Sequence, residues 1–145
     1  MSKNALTVLA LLALTFSVTI IGQQQPGTIA GAHLGTWQLV STKYGDVKEF
    51  SGYPPDRRRL KMITATHFVW VDYGTENKQV SASAGGSYSL VGNKYTETIE
   101  FAGAGMDSYL GKKQVFTIAI EDDRLKQSGE LSDGLKIEEI WKRVK

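Results

Sequence analysis

Two carboxylates stand on strand-like faces that are otherwise apolar or aromatic. Within Lys94–Phe101, alternate positions give one face of Tyr95, Glu97, Ile99 and Phe101; within Leu135–Val144 they give Ile137, Glu139, Trp141 and Arg143. A buried carboxylate is strongly disfavoured unless it is paired, or else it is pushed toward its protonated form. Glu97 and Glu139 therefore have three chemistries open to them. They pair with Arg143, Arg58 or a tyrosine hydroxyl and serve the fold; or they accept hydrogen bonds from the polar head of a guest. Or, as two acids with split pKa values, they act as general acid and base. Tyr88 and Tyr95 flank the Gly92-Asn93 turn on faces expected to point inward, each joining an apolar body to a polar tip.

His67 opens a strand directly after Ala65-Thr66, so a two-residue hairpin sets it opposite Thr64, at the rim of whatever the strands enclose. There it either bonds to a loop or lines the interior as a ligand contact or proton carrier. Phe68 and Trp70 alternate with Val69 and Val71, so both faces of that strand are apolar, and the inner one is left open; Trp70 is a candidate ligand contact if its face is inside. The only other histidine, His33, falls in a glycine-rich lead-in, and no cluster has the spacing of a metal site, so no metal is expected. No Gly-x-Ser-x-Gly elbow, phosphate loop, dinucleotide fingerprint or His-Glu-x-x-His pair occurs, and no cofactor is expected.

These residues need elements to position them, and the elements read as strands. Beyond residue 33 no window keeps an apolar pattern at helical spacing; short runs rich in Val, Ile, Thr, Tyr, Phe and Trp are cut by turn residues instead. Candidates are Gly35–Lys43, Arg58–Thr64, His67–Tyr73, Gln79–Ser83, Gly86–Val91, Lys94–Phe101, Gln114–Ile120, Arg124–Ser128 and Leu135–Val144. The short polar links between most of them favour hairpins between sequence neighbours. Two longer links stand apart: Tyr44–Arg57, a helical turn or a lid, and the glycine-rich Ala102–Lys113 with Met106, Tyr109 and Leu110.

Consecutive antiparallel strands must deal with two open edges, and closing the sheet removes both. The first strand carries Trp37 two residues after Gly35, and the last carries Trp141 and Arg143. A guanidinium laid over the Trp37 indole, worth roughly 0.5–2 kcal/mol, would seal one end, with Trp141 in the floor or wall. The expectation is an all-β, single antiparallel up-and-down barrel of about 8–10 strands over residues 34–145, lined by aromatics and a few polar groups as a ligand cavity is.

The chain has 145 residues, enough for one domain. Its 17 basic and 15 acidic residues are nearly balanced, which predicts neither nucleic acid nor an anionic membrane as partner; Arg57-Arg58-Arg59, the one basic run, reads as a solvated strand start. Ala5–Ile21 is apolar, preceded by Lys3 and followed by Gly22, the pattern of a signal peptide over residues 1–22. A flexible lead-in over 23–33 follows. Removal of the leader takes away one lysine, leaving 16 − 15 = +1. The runner-up is an uncleaved anchor, against which stand Thr7, Thr15, Ser17 and Thr19 and the lack of a basic stop. An exported chain without cysteine fits a bacterial periplasm or secretion from a bacterium.

Gly35-x-Trp37 together with Arg143 resembles the lipocalin and fatty-acid-binding superfamily of barrels. More closely, Ile63–Trp70, Gly85–Leu90, Tyr95–Glu100 and Glu138–Arg143 are similar to an exported bacterial lipocalin-like family with no assigned function. The resemblance spans nearly all of Leu34–Lys145. It implies the barrel, its cavity and the packing of arginine across tryptophan, and it names no substrate. The usual further lipocalin signatures and a cysteine pair are missing, so retinoid or odorant ligands draw no support.

Three functions compete. One is a carrier for a small hydrophobic or amphipathic ligand, with Tyr88, Tyr95, Glu97, Glu139 and Trp70 along the cavity and His67 at its mouth. Another is an isomerase or hydratase on the same frame, with Glu97 or Glu139 as base and Tyr88 as oxyanion donor. The last is an interaction or inhibitor module presenting Tyr44–Arg57 or Ala102–Lys113. The carrier is preferred, since a mixed apolar and polar lining suits it best.

Overall fold

Along Lys113–Glu121 the side chains of Gln114, Phe116 and Ile118 are buried while Lys113, Val115, Thr117 and Ala119 are exposed, the period-2 signature of a strand with one wet face. The same alternation repeats around a closed sheet. The computed structural model describes Ile29 and residues 31–145; the expected leader and most of the lead-in lie outside the described residues.

Among the described residues ten strands follow in chain order: β1 (Gly35–Tyr44), β2 (Ser51–Gly52), β3 (Arg57–Ile63), β4 (His67–Gly74), β5 (Val80–Val91), β6 (Lys94–Thr98), β7 (Phe101–Ala102), β8 (Lys113–Glu121), β9 (Arg124–Glu130) and β10 (Lys136–Arg143). Eight of them form an up-and-down antiparallel barrel in the order β1-β3-β4-β5-β6-β8-β9-β10, and β10 pairs back onto β1 to close it. The two-residue strands β2 and β7 are side pairings on β1 and β5. Closure leaves no free edge among these eight strands, which is how a sheet of this size avoids pairing with other chains.

Three local readings of the sequence are corrected. Gln79–Ser83 and Gly86–Val91 are one strand, β5, because Ala84-Gly85-Gly86 continues the ladder to β4 instead of breaking it. The glycine at 86 is required there: a Cβ would lie 2.0 Å from the carbonyl oxygen of Thr98. Conversely Lys94–Phe101 is not continuous. The chain turns after Thr98, and Glu100 reaches back to accept hydrogen bonds from the Ser87 amide and hydroxyl. The long link after β1 holds β2 in place of a helical turn, and Ala102–Lys113 holds a 3-10 turn at Asp107–Tyr109.

The interior is apolar at its base, with Trp37, Leu39, Ile63, Phe68, Ile118 and Leu125 all buried. On β4 the inner face is Phe68, Trp70 and Asp72, which settles the side left open above.

Candidate functional site

One end of the barrel is sealed. Trp37 and Arg143 are register partners across the closing seam, and the guanidinium lies 4.1 Å from the indole ring centroid. Gly35 permits this approach, since its φ is +123° and a Cβ would meet Arg143 Nη1 at 2.8 Å. Arg143 also donates to the carbonyls of Leu34 and Ala32, and Trp37 Nε1 donates to the carbonyl of His33 at 2.8 Å. His33, the last residue of the expected lead-in, is buried. Its Nε2 is 2.8 Å from the Tyr88 hydroxyl, which donates to the Thr64 carbonyl at 2.7 Å. Tyr88 packs edge-on against His33 and at a tilt of 44° against Tyr95.

Above this floor a chain of charged and polar groups crosses the interior. Lys61, buried on β3, donates to Glu97 Oε1 at 2.8 Å and to Gln127 Oε1 at 2.9 Å. The rings of Phe68, Tyr95, Phe116 and Trp141 surround its ammonium at centroid distances of 5.1–5.9 Å. Such faces attract a cation and compensate for part of its lost hydration. Gln127 passes the network to Glu139 Oε2 at 3.4 Å, which also accepts from Trp141 Nε1 at 3.1 Å. The other oxygen of Glu139 accepts from the Tyr44 hydroxyl at 2.5 Å, with Arg59 Nη1 at 3.9 Å. Arg59 turns in addition to Asp72 at 2.8 Å, and Asp72 is fully buried beneath Arg59, Arg57 and the Tyr53 hydroxyl.

The electrostatics follow from burial. Burial pushes the Glu97 carboxyl up, and the adjacent Lys61 pulls against that shift. The phenols of Tyr44 and Tyr95 are held far above their ordinary value, chiefly by burial and then by the charge of Glu139 and Glu97 respectively. Tyr53 is pushed up to about 12 by burial and by its hydrogen bond to Asp72. The Tyr95 hydroxyl is buried with no hydrogen-bond partner among the described residues.

A cavity of about 240 Å³ opens above the polar chain. Its walls are Trp70, Ala84, Ile99, Phe116, Ile137 and Trp141, its polar lining includes Arg59, Lys61, Glu97, Gln127 and Glu139, and Met106, Tyr109, Leu131 and Leu135 cover its far end. The cover is tied down by the Tyr109 hydroxyl, which donates to Asp133. Of the residues singled out from sequence, Trp70, Glu97, Glu139 and Trp141 come together on this lining. Tyr95 lies below it against Lys61, and Tyr88 belongs to the sealed end with His33. His67 is exposed on the hairpin at that same sealed end, bonded to the Thr66 hydroxyl at 2.8 Å, and not at the mouth.

Lys61, Arg59, Asp72, Tyr44 and Gln127 were not foreseen. On β3 the sequence offers Leu60 and Met62 as the obvious inner face, yet Arg59, Lys61 and Ile63 point inward. The reading of Arg57-Arg58-Arg59 as simply solvated is corrected too: Arg57 and Arg59 clamp Asp72. The available signal was Asp72 itself, a carboxylate at the alternate position to Phe68 and Trp70. Of the partners expected for the two glutamates the tyrosine hydroxyl is found, Tyr44 on Glu139, while in place of Arg143 and Arg58 Glu97 takes Lys61, and Glu139 takes Trp141 and Arg59 as well.

No protein family and no curated protein matches the sequence. Solved structures do. A lipocalin-like protein from Bacteroides uniformis superposes with a TM-score of 0.57 at 17% identity, covering 77% of this chain and 97% of that one. This chain has a lipocalin-like fold. An uncharacterized protein from Bacteroides eggerthii matches similarly, with a TM-score of 0.56, 12% identity and coverage of 77% and 98%. At these identities the likeness concerns the lipocalin-like barrel alone.

Proposed function

We propose that this lipocalin-like barrel is an exported carrier for a small, partly apolar guest that bears a polar group. The observation behind the proposal is the cavity of about 240 Å³, whose aromatic and aliphatic walls meet a buried row of hydrogen-bonding groups. Pockets for drug-sized guests run to roughly 300–1,000 Å³, so the guest is small. Trp70 and Trp141 would bracket its apolar part, and Glu97, Glu139 and Arg59 would face its polar part. An isomerase or hydratase would need an acid free to take a proton, whereas Lys61 occupies Glu97, and Tyr44, Trp141 and Arg59 occupy Glu139. A lipid, sugar and aromatic-acid panel, read by thermal shift and tryptophan emission, tests the carrier. A guest at a hundredfold excess over its Kd stabilises the fold by about 2.7 kcal/mol, several degrees in Tm for a domain of this size. No shift and no emission change across the panel would end the proposal. Export is tested separately: expression of residues 1–145 in a bacterial host should give a periplasmic protein whose mass begins at Gln23, and an intact Met1 in the membrane fraction would refute the cleaved leader.

A further inference from the structure

Resting on the carrier reading above, we infer that the cavity selects a guest with an uncharged head group and rejects both carboxylates and amines of the same size. The basis is the pairing of every buried charge that faces the space or stands behind it. Lys61 is matched by Glu97 at 2.8 Å, and Arg59 by Asp72 at 2.8 Å and Glu139 at 3.9 Å. Arg57, at the outer edge, turns onto Asp72 at 2.9 Å. On the lining itself two cations, Lys61 and Arg59, face two anions, Glu97 and Glu139, and the exposed Arg57 joins Arg59 in pairing Asp72 behind them.

A carboxylate entering this space would find no spare cation. It would have to leave water unpaired, or pull Lys61 from Glu97 or Arg59 from Glu139, and either course strands a buried charge. An ammonium meets the mirror-image problem, because Tyr44, Trp141 and Gln127 already donate to Glu139 and Lys61 already donates to Glu97. A hydroxyl or an amide faces neither penalty. Lys61 makes two hydrogen bonds through an ammonium that has three protons, so a neutral head can be met by the third without breaking a pair.

Two matched probe sets decide the matter: 1-octanol, octanoate and octylammonium, and 3-phenylpropanol, 3-phenylpropanoate and 3-phenylpropylammonium. Binding to the wild-type protein is read by calorimetry at pH 7. The alcohol should bind at least tenfold more tightly than either charged partner of its set. An acid or amine that binds as well as its alcohol overturns the inference while leaving the carrier reading intact; no binding by any probe defeats both. Glu97→Gln removes one anion and leaves Lys61 unmatched, so the preference should swing at least tenfold toward the carboxylate. Where that variant does not fold, Glu139→Gln makes the same change of one charge, and an unaltered order of preference in a folded variant overturns the inference.

Discussion

At the scale of single residues, the most informative group is Glu97. It is buried, its carboxyl is pushed up by that burial, and Lys61 only partly offsets the shift. A carboxyl whose pKa is higher in the folded than in the unfolded chain holds its proton more tightly when folded. Its contribution to stability is therefore present at low pH and is lost as pH rises from the ordinary value of 4.5 through the folded one. The unfolding free energy of the wild type, measured in urea and taken relative to Glu97→Gln, should decline from about pH 4.5 upward and then level off. A relative stability that climbs over the same range would mean that Lys61 dominates and that Glu97 is an ordinary salt-bridged acid. Glu97 and Glu139 were legible in the sequence because alternation sets each among aromatics. Lys61 was not, since a lysine between Leu60 and Met62 reads as the wet face of a strand, and only the closed barrel shows that Leu60 and Met62 are the outer pair. On β4 the one mark of the inner face was Asp72, alternating with Phe68 and Trp70, and Val69 and Val71 masked it by making the other face apolar as well.

At the scale of elements, turns were easier to read than strand ends. The Ala65-Thr66, Gly92-Asn93 and Glu121-Asp122-Asp123 links mark hairpins because their residues tolerate turn geometry, and Asp122 and Gly92 do take positive φ. The split of β5 and the overrun of β6 fall around Ala84-Gly85-Gly86 and Glu100, where a glycine pair serves close approach instead of a turn. The chain between β6 and β7 passes so near β5 that Glu100 N donates to the Gly85 carbonyl at 2.9 Å. Periodicity carries no information on such contacts. Gly86→Ala should therefore cost roughly 3 kcal/mol, at the upper end of what overpacking does, because the new Cβ would meet backbone, which cannot swing aside. Gly92 also has a constrained φ, of +61°, but open space around it. Gly92→Ala should lose only about 1 kcal/mol through backbone strain. Urea midpoints for the two variants check the ordering; equal losses would show that conformation, not contact, sets the need for glycine at 86.

At the scale of the whole molecule, two opposite ends do different work. The Trp37 end is dry and cross-linked by the Arg143 guanidinium, the His33 carbonyl and the Tyr88 hydroxyl, which gives a chain without disulfides a rigid base. The other end keeps the space in which a guest would be held. Closure was foreseeable from Gly35, Trp37 and Arg143, and the mixed lining pointed to a cavity, whereas its size was not legible, because volume depends on how all the strands pack at once. Ala84 offers a way to test the space without touching any polar group. It lies on the cavity wall in register with Trp70, so a leucine side chain there would extend into the void instead of into packed atoms. Ala84→Leu should change stability by no more than about 1.5 kcal/mol, the scale of a tolerated core substitution, yet reduce the Tm rise given by a bound guest at least by half. Ala119→Leu adds the same atoms on the exposed outer face of β8 and should leave that rise unchanged. If both variants keep the full ligand-induced shift, the guest binds elsewhere, and the interior of the barrel is a packing defect with no part in recognition.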